Sequence, residues 1–397
     1  MRVKNLRRDS IEKQEATFSE DVRNASNGSS ELTSPQSQPD DTSTNTPSDS
    51  GNASDSGDLT GTLRKARRSR IRRRSLVTVV LVFLVAGIYL VNLMWGEVVY
   101  SPADVWAVIR GEDVPGASYS VGVLRLPRAT MGLLAGIAFG AAGVTFQTML
   151  RNQLASPDII GISSGASAAG VIGIVIFGMG QTQVSIVALI ASLTVALLIY
   201  LLSYRGGFAG TRLILIGIGF AALLQSVVTY ALSQASSWDL PTATRWLTGS
   251  LNGATWERTG PLAATALVLL PIMLLFGRNL NVLRLGDETA RGLGVRVNVT
   301  RVVMIVCAVI LIAVATSACG PIAFVAFVSG PIAARIVGPG GSLTIPAALV
   351  GALVVLVSDL VSQYFLGVRY PVGVLTGALG APFLIYLLAR SNRGGKI

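Results

Sequence analysis

Asp359 is the one acidic side chain that falls inside a long apolar stretch, and a carboxylate at that depth is what a proton- or cation-coupled transporter needs. No Glu or Lys joins it in the apolar stretches, and the chain has no His. A lone acid makes a poor relay, and a hydrogen bond to a neighbouring helix, as through Ser358 or Ser362, accounts for it equally simply. Gln147 and Gln225 are read the same way. The lack of His also removes His-based zinc sites, Ser-His-Asp triads and histidine proton relays. Cys307 and Cys319 lie in apolar surroundings at no metal or disulfide spacing and are expected to be packing residues. No G-x-x-x-x-G-K-[ST] loop occurs, so the chain is not expected to hydrolyse ATP. Uphill transport by it would draw energy from a partner.

Charge is gathered where such a partner could engage. Residues 278–301, RNLNVLRLGDETARGLGVRVNVTR, form the longest polar stretch between apolar segments on their side of the membrane. Asp287 and Glu288 open a short helical pattern, Arg291 closes it, and Gly292 and Gly294 stop it, which suits the helix dipole at both ends. A solvated turn would look similar; the length and internal order favour a docking element. Arg125 and Arg128 stand three apart around Pro127, on one helix face, with the proline suited to a first turn.

The elements that must carry these residues follow from composition. Only 13% of residues are charged, against about 25% in soluble domains, and 51% are hydrophobic. Apolar runs long enough to cross a bilayer occur at about 76–95, 127–149, 160–178, 184–203, 212–233, 259–277, 302–318, 321–337, 343–363 and 371–389. This predicts an all-α polytopic membrane protein with ten transmembrane helices. With the N-terminus inside, interior connections and the C-terminal tail carry twelve basic residues and exterior ones six, so both termini are expected in the cytoplasm. All five tryptophans lie at or in two exterior segments, 96–126 and 234–258, each long enough for a short helix, as interfacial anchors would. Gly132, Gly136, Gly140 and Gly143, and again Gly373, Gly377 and Gly380, have the spacing of close helix contacts in lipid.

The chain divides at residue 75. Asp9–Asp58 holds eleven acidic and two basic residues with hardly any large apolar side chain, and residues 1–75 are expected to form a disordered cytoplasmic tail. It ends in a basic block, Arg64–Arg74, with eight positive charges in eleven residues, directly before an uncleaved first span. The block reads as a topology signal rather than a nucleic-acid site, because no aromatics interleave it. The acceptor-like Asn24, Asn27 and Asn52 would then not be exported.

Four ordered strings resemble the FecCD/BtuC family of importer permeases: Leu124–Ser167, opening R-L-P-R, Leu285–Val295, Gly320–Val325 and Pro371–Pro382. The resemblance covers roughly residues 76–393. It implies a BtuC-like type II ABC importer permease, with residues 76–393 as the transmembrane domain and 278–301 as the ATPase-coupling loop. It implies a second permease chain, identical or related, an ATP-binding subunit dimer and an extracytoplasmic substrate-binding protein. No catalytic residue, cofactor or metal site is implied.

By the same resemblance Leu285, Gly286, Asp287, Glu288, Ala290, Arg291, Leu293 and Gly294 would meet the ATPase. Arg125 and Arg128 would receive the binding protein, interfacial anchoring being the plain alternative. The third arginine of relatives is Gln363 here, and Arg369 could replace it. The fifth span would line the path through Gly217, Gly219, Gln225, Ser226 and Thr229, a small and polar face that close helix packing explains as well. Gln153 and Ser329-Gly330-Pro331 depart from the family strings. Family cargoes are iron chelates, haem and cobalamin; the string Trp246–Gly253 leans toward a ferric siderophore of the catecholate, ferric-enterobactin kind. The iron would travel inside its chelate, so no protein ligands are expected. An ion-coupled secondary transporter is the alternative of another class.

Overall fold

The computed structural model describes residues 53–157, 161–203, 210–338 and 340–393. Regular structure among them is helical throughout. In chain order the helices are α1 (Ala53–Met94), α2 (Pro102–Ile109), α3 (Leu126–Met149), α4 (Ile162–Val175), α5 (Gln181–Ser203), α6 (Gly210–Ser233) and α7 (Leu240–Thr248). Then follow α8 (Trp256–Val282), α9 (Asp287–Gly292), α10 (Val297–Cys319), α11 (Val325–Val337), α12 (Thr344–Tyr364) and α13 (Val372–Arg393). Seven stretches are long and apolar enough to cross a membrane, and the shorter apolar helices Ile162–Val175, Val325–Val337 and Val372–Leu387 bring the total to the expected ten. A π-helical turn, Ser118–Arg125, leads into α3, and Pro127 sits in the first turn of α3, where its missing N–H costs nothing.

Three helices form the centre. The apolar windows of α3, α10 and α12 are 78%, 72% and 61% buried, whereas those of α1, α5, α6 and α8 are 28% buried or less and form the rim. Lipid supplies no hydrophobic drive for two helices to associate, so the centre depends on close van der Waals approach. The α3 glycines provide it. A Cβ on Gly136 would stand 2.5 Å from the Gly351 carbonyl oxygen of α12, and one on Gly140 or Gly143 would collide with the Ala347 or Ala326 carbonyl. Gly132 is the looser member, facing the Leu251 side chain. In the second glycine series Gly373 meets the Thr248 carbonyl and Gly380 the Phe324 ring, while Gly377 faces open space.

Polar groups at depth complete the packing. Pro331 lies inside α11 and has no N–H to give the Phe327 carbonyl one turn back; the buried Gln147 of α3 donates its side-chain amide there instead, at 2.9 Å. Trp246 is not interfacial as expected. It is buried in α7, and its indole N–H donates to the Ala166 carbonyl of α4 at 3.2 Å, in space left by Gly170. The other four tryptophans are exposed, and both cysteines are buried.

From Ala53 the chain is helical, and the basic block belongs to the same helix as the first span. The expectations for residues 1–52, including Asn24, Asn27 and Asn52, lie outside the described residues.

Gly140→Ala is expected to lower the thermal midpoint of the purified protein in detergent by several degrees, because the new methyl meets backbone that cannot yield. Gly260→Ala, in a helical position with open space around it, should leave the midpoint unchanged. Scanning fluorimetry of the two variants measures the difference.

Candidate functional site

At the end of the bundle that carries α2 and α7, the predicted arginines do separate jobs. Arg125 donates through Nη1 to the Leu93 and Met94 carbonyls, at 3.1 and 2.9 Å, and through Nη2 to the Val98 carbonyl at 2.8 Å. It thus caps the last carbonyls of α1, and its guanidinium stacks over the Tyr100 ring. A Cβ at position 96 would meet that guanidinium, so a side chain there would require Arg125 to shift. Arg128 makes a two-pronged ion pair with Asp359 of α12, Nε to Oδ2 at 2.9 Å and Nη2 to Oδ1 at 2.8 Å. Its Nη1 donates to Asn252 Oδ1, and Gln363 Nε2 donates to Asp359 Oδ2 at 2.9 Å. Asp359 is 2% exposed and Arg128 18%.

Asp359 therefore answers to Arg128 and Gln363, not to the expected serines; Ser362 Oγ donates only to the Asp359 backbone carbonyl. Arg128 and Arg125 are not free outward-pointing cations. Of the three predicted docking arginines, Arg369 alone is exposed, at 64%, and it pairs with the exposed Glu97. These groups border one cleft of about 360 Å³, with Arg125, Arg128, Asp359, Gln363 and Arg369 in its walls.

At the opposite end, α9 stands as a separate short helix. Gly286 before it (φ +114°) and Gly294 after it (φ +82°) take backbone angles that other residues resist, so the chain turns sharply on both sides. Leu285, Glu288, Arg291, Leu293 and Gly294 are exposed, whereas Ala290 is buried and anchors the helix. Asp287 faces inward. It accepts from Arg151 Nη2 at 2.9 Å and from Arg301 Nη2 at 3.0 Å, and Arg151 also donates to the Leu283 carbonyl at 2.9 Å. Arg151 holds a left-handed backbone (φ +50°) just after α3, which is costly for a residue with a side chain and points to a position held by its surroundings. α9 is thereby tied to the end of the central helix. A depression of about 840 Å³ beside it is bordered by Arg151, Asn152, Gly286 and Glu288.

The fifth of the apolar helices in chain order, α6, presents an exposed face of Gly219, Gln225, Ser226 and Thr229, with Ala222 between them. Gly217 does not belong to it; it is buried, with its carbonyl against Gly161. A separate cavity of about 450 Å³ is lined by Ser156, Ser163, Ser164 and Ser167 opposite Leu247 and Phe324. Phe324 also has a left-handed backbone (φ +66°), and its ring packs edge-on against Phe327. The sequence signals for these residues were the G-P-I-x-F-V string and the serines of the S-S-G-A-S segment, but neither string carries a φ angle or shows a cavity. Arg151 gave no signal beyond its charge.

Among the described residues, ten apolar helices around a glycine-packed centre, with a polar cleft at one end and a tethered exposed helix at the other, define a multi-pass membrane protein. The FecCD transport family model matches residues 81–390, and the chain belongs to that family. It is 39% identical to the ferric enterobactin transport system permease protein FepG of Escherichia coli strain K12, over 81% of this chain and 98% of that one. The achromobactin transport system permease protein CbrC of Dickeya dadantii strain 3937 is 37% identical, over 78% and 90% of the two chains. A solved structure, an inward-facing metal-chelate type ABC transporter, superposes with a TM-score of 0.71 at 25% identity, covering 80% of this chain and 99% of that one.

Breaking the Arg128–Asp359 pair leaves an uncompensated buried charge. Asp359→Asn is expected to destabilise the protein by about 3 kcal/mol, whereas Arg128→Leu combined with Asp359→Leu should recover most of the loss. Thermal midpoints of the single and double variants in the same detergent test this; equal losses would show that the charges are not coupled.

Proposed function

We propose that the chain is the permease subunit of an ABC importer that carries an iron–siderophore complex across the cytoplasmic membrane, with residues 76–393 as the permease domain. The observation that carries the reading is the family match over 81–390 together with full-length similarity to permeases named for ferric enterobactin and achromobactin. A ferric catecholate is the favoured cargo. The charge distribution supports an orientation with the α9 end and both termini in the cytoplasm and the α2 and α7 end outside.

In this arrangement the loop 278–301 meets an ATP-binding subunit. The exposed Leu285, Glu288, Arg291 and Leu293 supply the contact, and Gly286, Asp287, Ala290 and Gly294 hold it in shape. Arg151 then passes a displacement of α9 directly to the end of α3, the helix around which the bundle is packed. The exposed face Gly219, Gln225, Ser226 and Thr229 would look toward a second permease chain and border the path. Small and hydroxylated residues suit a path that must pass a large polar chelate without gripping it. On the outer side Arg369 is the docking arginine for the binding protein, and Arg125 and Arg128 hold the platform beneath it. The lone Asp359 is neutralised by Arg128, which leaves no free intramembrane acid to run a cation-coupled cycle.

Purification with the native partner subunits tests the assignment. An ATPase should co-elute, and its turnover should rise with iron-loaded binding protein; absence of any associated ATPase would refute it. Arg291→Glu should abolish that stimulation with no change in thermal midpoint, because its side chain is exposed. Arg369→Glu should weaken binding-protein affinity about tenfold, chiefly through association rate and only at low salt. Surface plasmon resonance at two ionic strengths gives the answer.

A further inference from the structure

The basic end of α1 has no part in the function proposed above. The family match begins at residue 81, so the block Arg64–Arg74 lies outside it, yet the structure makes it continuous with the first span. Along an α-helix at 1.5 Å per residue, Arg74 to Arg70 lie about 3–9 Å beyond Leu76, where the apolar run starts. The headgroup layer on each side of a bilayer is about 5–8 Å deep, so these arginines fall at phosphate depth. Arg68, Arg70, Arg72 and Arg73 are exposed. Set one or two positions apart, they point to several sides of the helix rather than to one protein surface.

The position is also built against the protein. Arg74 Nη1 donates to the Gly340 carbonyl at 2.5 Å, and the Arg73 guanidinium lies beside Gly338, 3.7 Å from where a Cβ would stand. The glycine-rich loop between α11 and α12 therefore fixes the last turn of the block, and the remaining arginines stand out beside it. A helix crowded with like charges at i, i+4 spacing repels itself, and anionic groups around it would relieve that repulsion.

We infer that the Arg68–Arg74 turns of α1 bind anionic phospholipid headgroups at the membrane surface, with the contacts of Arg74 to Gly340 and Arg73 to Gly338 holding the helix in place. Each basic side chain near an anionic leaflet adds to such binding, and salt weakens it. The leaflet concerned rests on the cytoplasmic orientation proposed above; the binding itself does not.

The test uses the full chain, delipidated in a non-ionic detergent and titrated with phosphatidylglycerol or phosphatidylcholine, with bound lipid counted by native mass spectrometry. Detergent offers the lipid to both ends, so the outcome does not depend on the orientation, and lipid binding can fail while the orientation stands. The expected result is preferential retention of phosphatidylglycerol that falls with added salt. Replacing Arg68, Arg70, Arg72 and Arg73 together by Gln should weaken it at least about tenfold, while the same four changed to Lys keep it. Gln at Arg278 and Arg296, two exposed arginines elsewhere on that end, should change nothing. Equal phosphatidylglycerol binding by the four-Gln variant, equal retention of phosphatidylcholine by the native chain, or a nuclease-sensitive nucleic acid as the retained anion would overturn the inference. A thermal midpoint matching the native chain in phosphatidylcholine shows that the four-Gln variant is folded.

Discussion

The bundle depends on backbone touching backbone between α3 and its neighbours. Lipid offers no reward for burying one leucine against another, so association rests on contact distance and on satisfying polar groups. Gly136, Gly140 and Gly143 remove the side chains that would hold α12 and α11 away, and Gly351 does the same from the other side. Once those helices are that close, α3 becomes the member to which both ends of the molecule are fastened.

The polar contacts are arranged around that fact. At one end of α3, Arg128 reaches Asp359 of α12 and Asn252 of the loop after α7, while Arg125, one turn earlier, closes the end of α1. In the middle Gln147 supplies the hydrogen bond that Pro331 cannot. Just past its far end Arg151 holds Asp287, and with it the exposed helix α9. A chain of side chains on one helix thus spans from the cleft at one end to the tethered helix at the other. That geometry suits the proposed function, in which a displacement of α9 would act on the same element that supports the cleft at the other end.

The functional reading changed most where charge met charge. An arginine at a membrane boundary reads in sequence as an anchor or as a docking point, and in the structure the Arg128 guanidinium is engaged by Asp359 and Asn252. Asp287, taken with its neighbours as contact surface, is an internal tie held from two sides. Gly217 belongs to packing, and Gly219 to the exposed face, although they are two residues apart. In each case the residue type was right for several roles, and only its neighbours in space choose among them.

The sequence by itself determined the number of spans, the glycine seam, the polar loop 278–301 and the family, because hydropathy, small-residue spacing and ordered motifs are local properties of the chain. The glycine seam was legible in the four- and three-residue spacing from Gly132 to Gly143, although which helices it faced was not. The tertiary structure decided the pairings: Arg128 with Asp359 across 231 residues, Arg151 with Asp287 across 136, Gln147 with the Phe327 carbonyl across 180. It also turned Trp246 inward and joined the basic block to the first span in one helix. The physical reason is that a hydrogen bond or ion pair is set by distance and direction in space, and residues so far apart in the chain acquire both only when the helices pack.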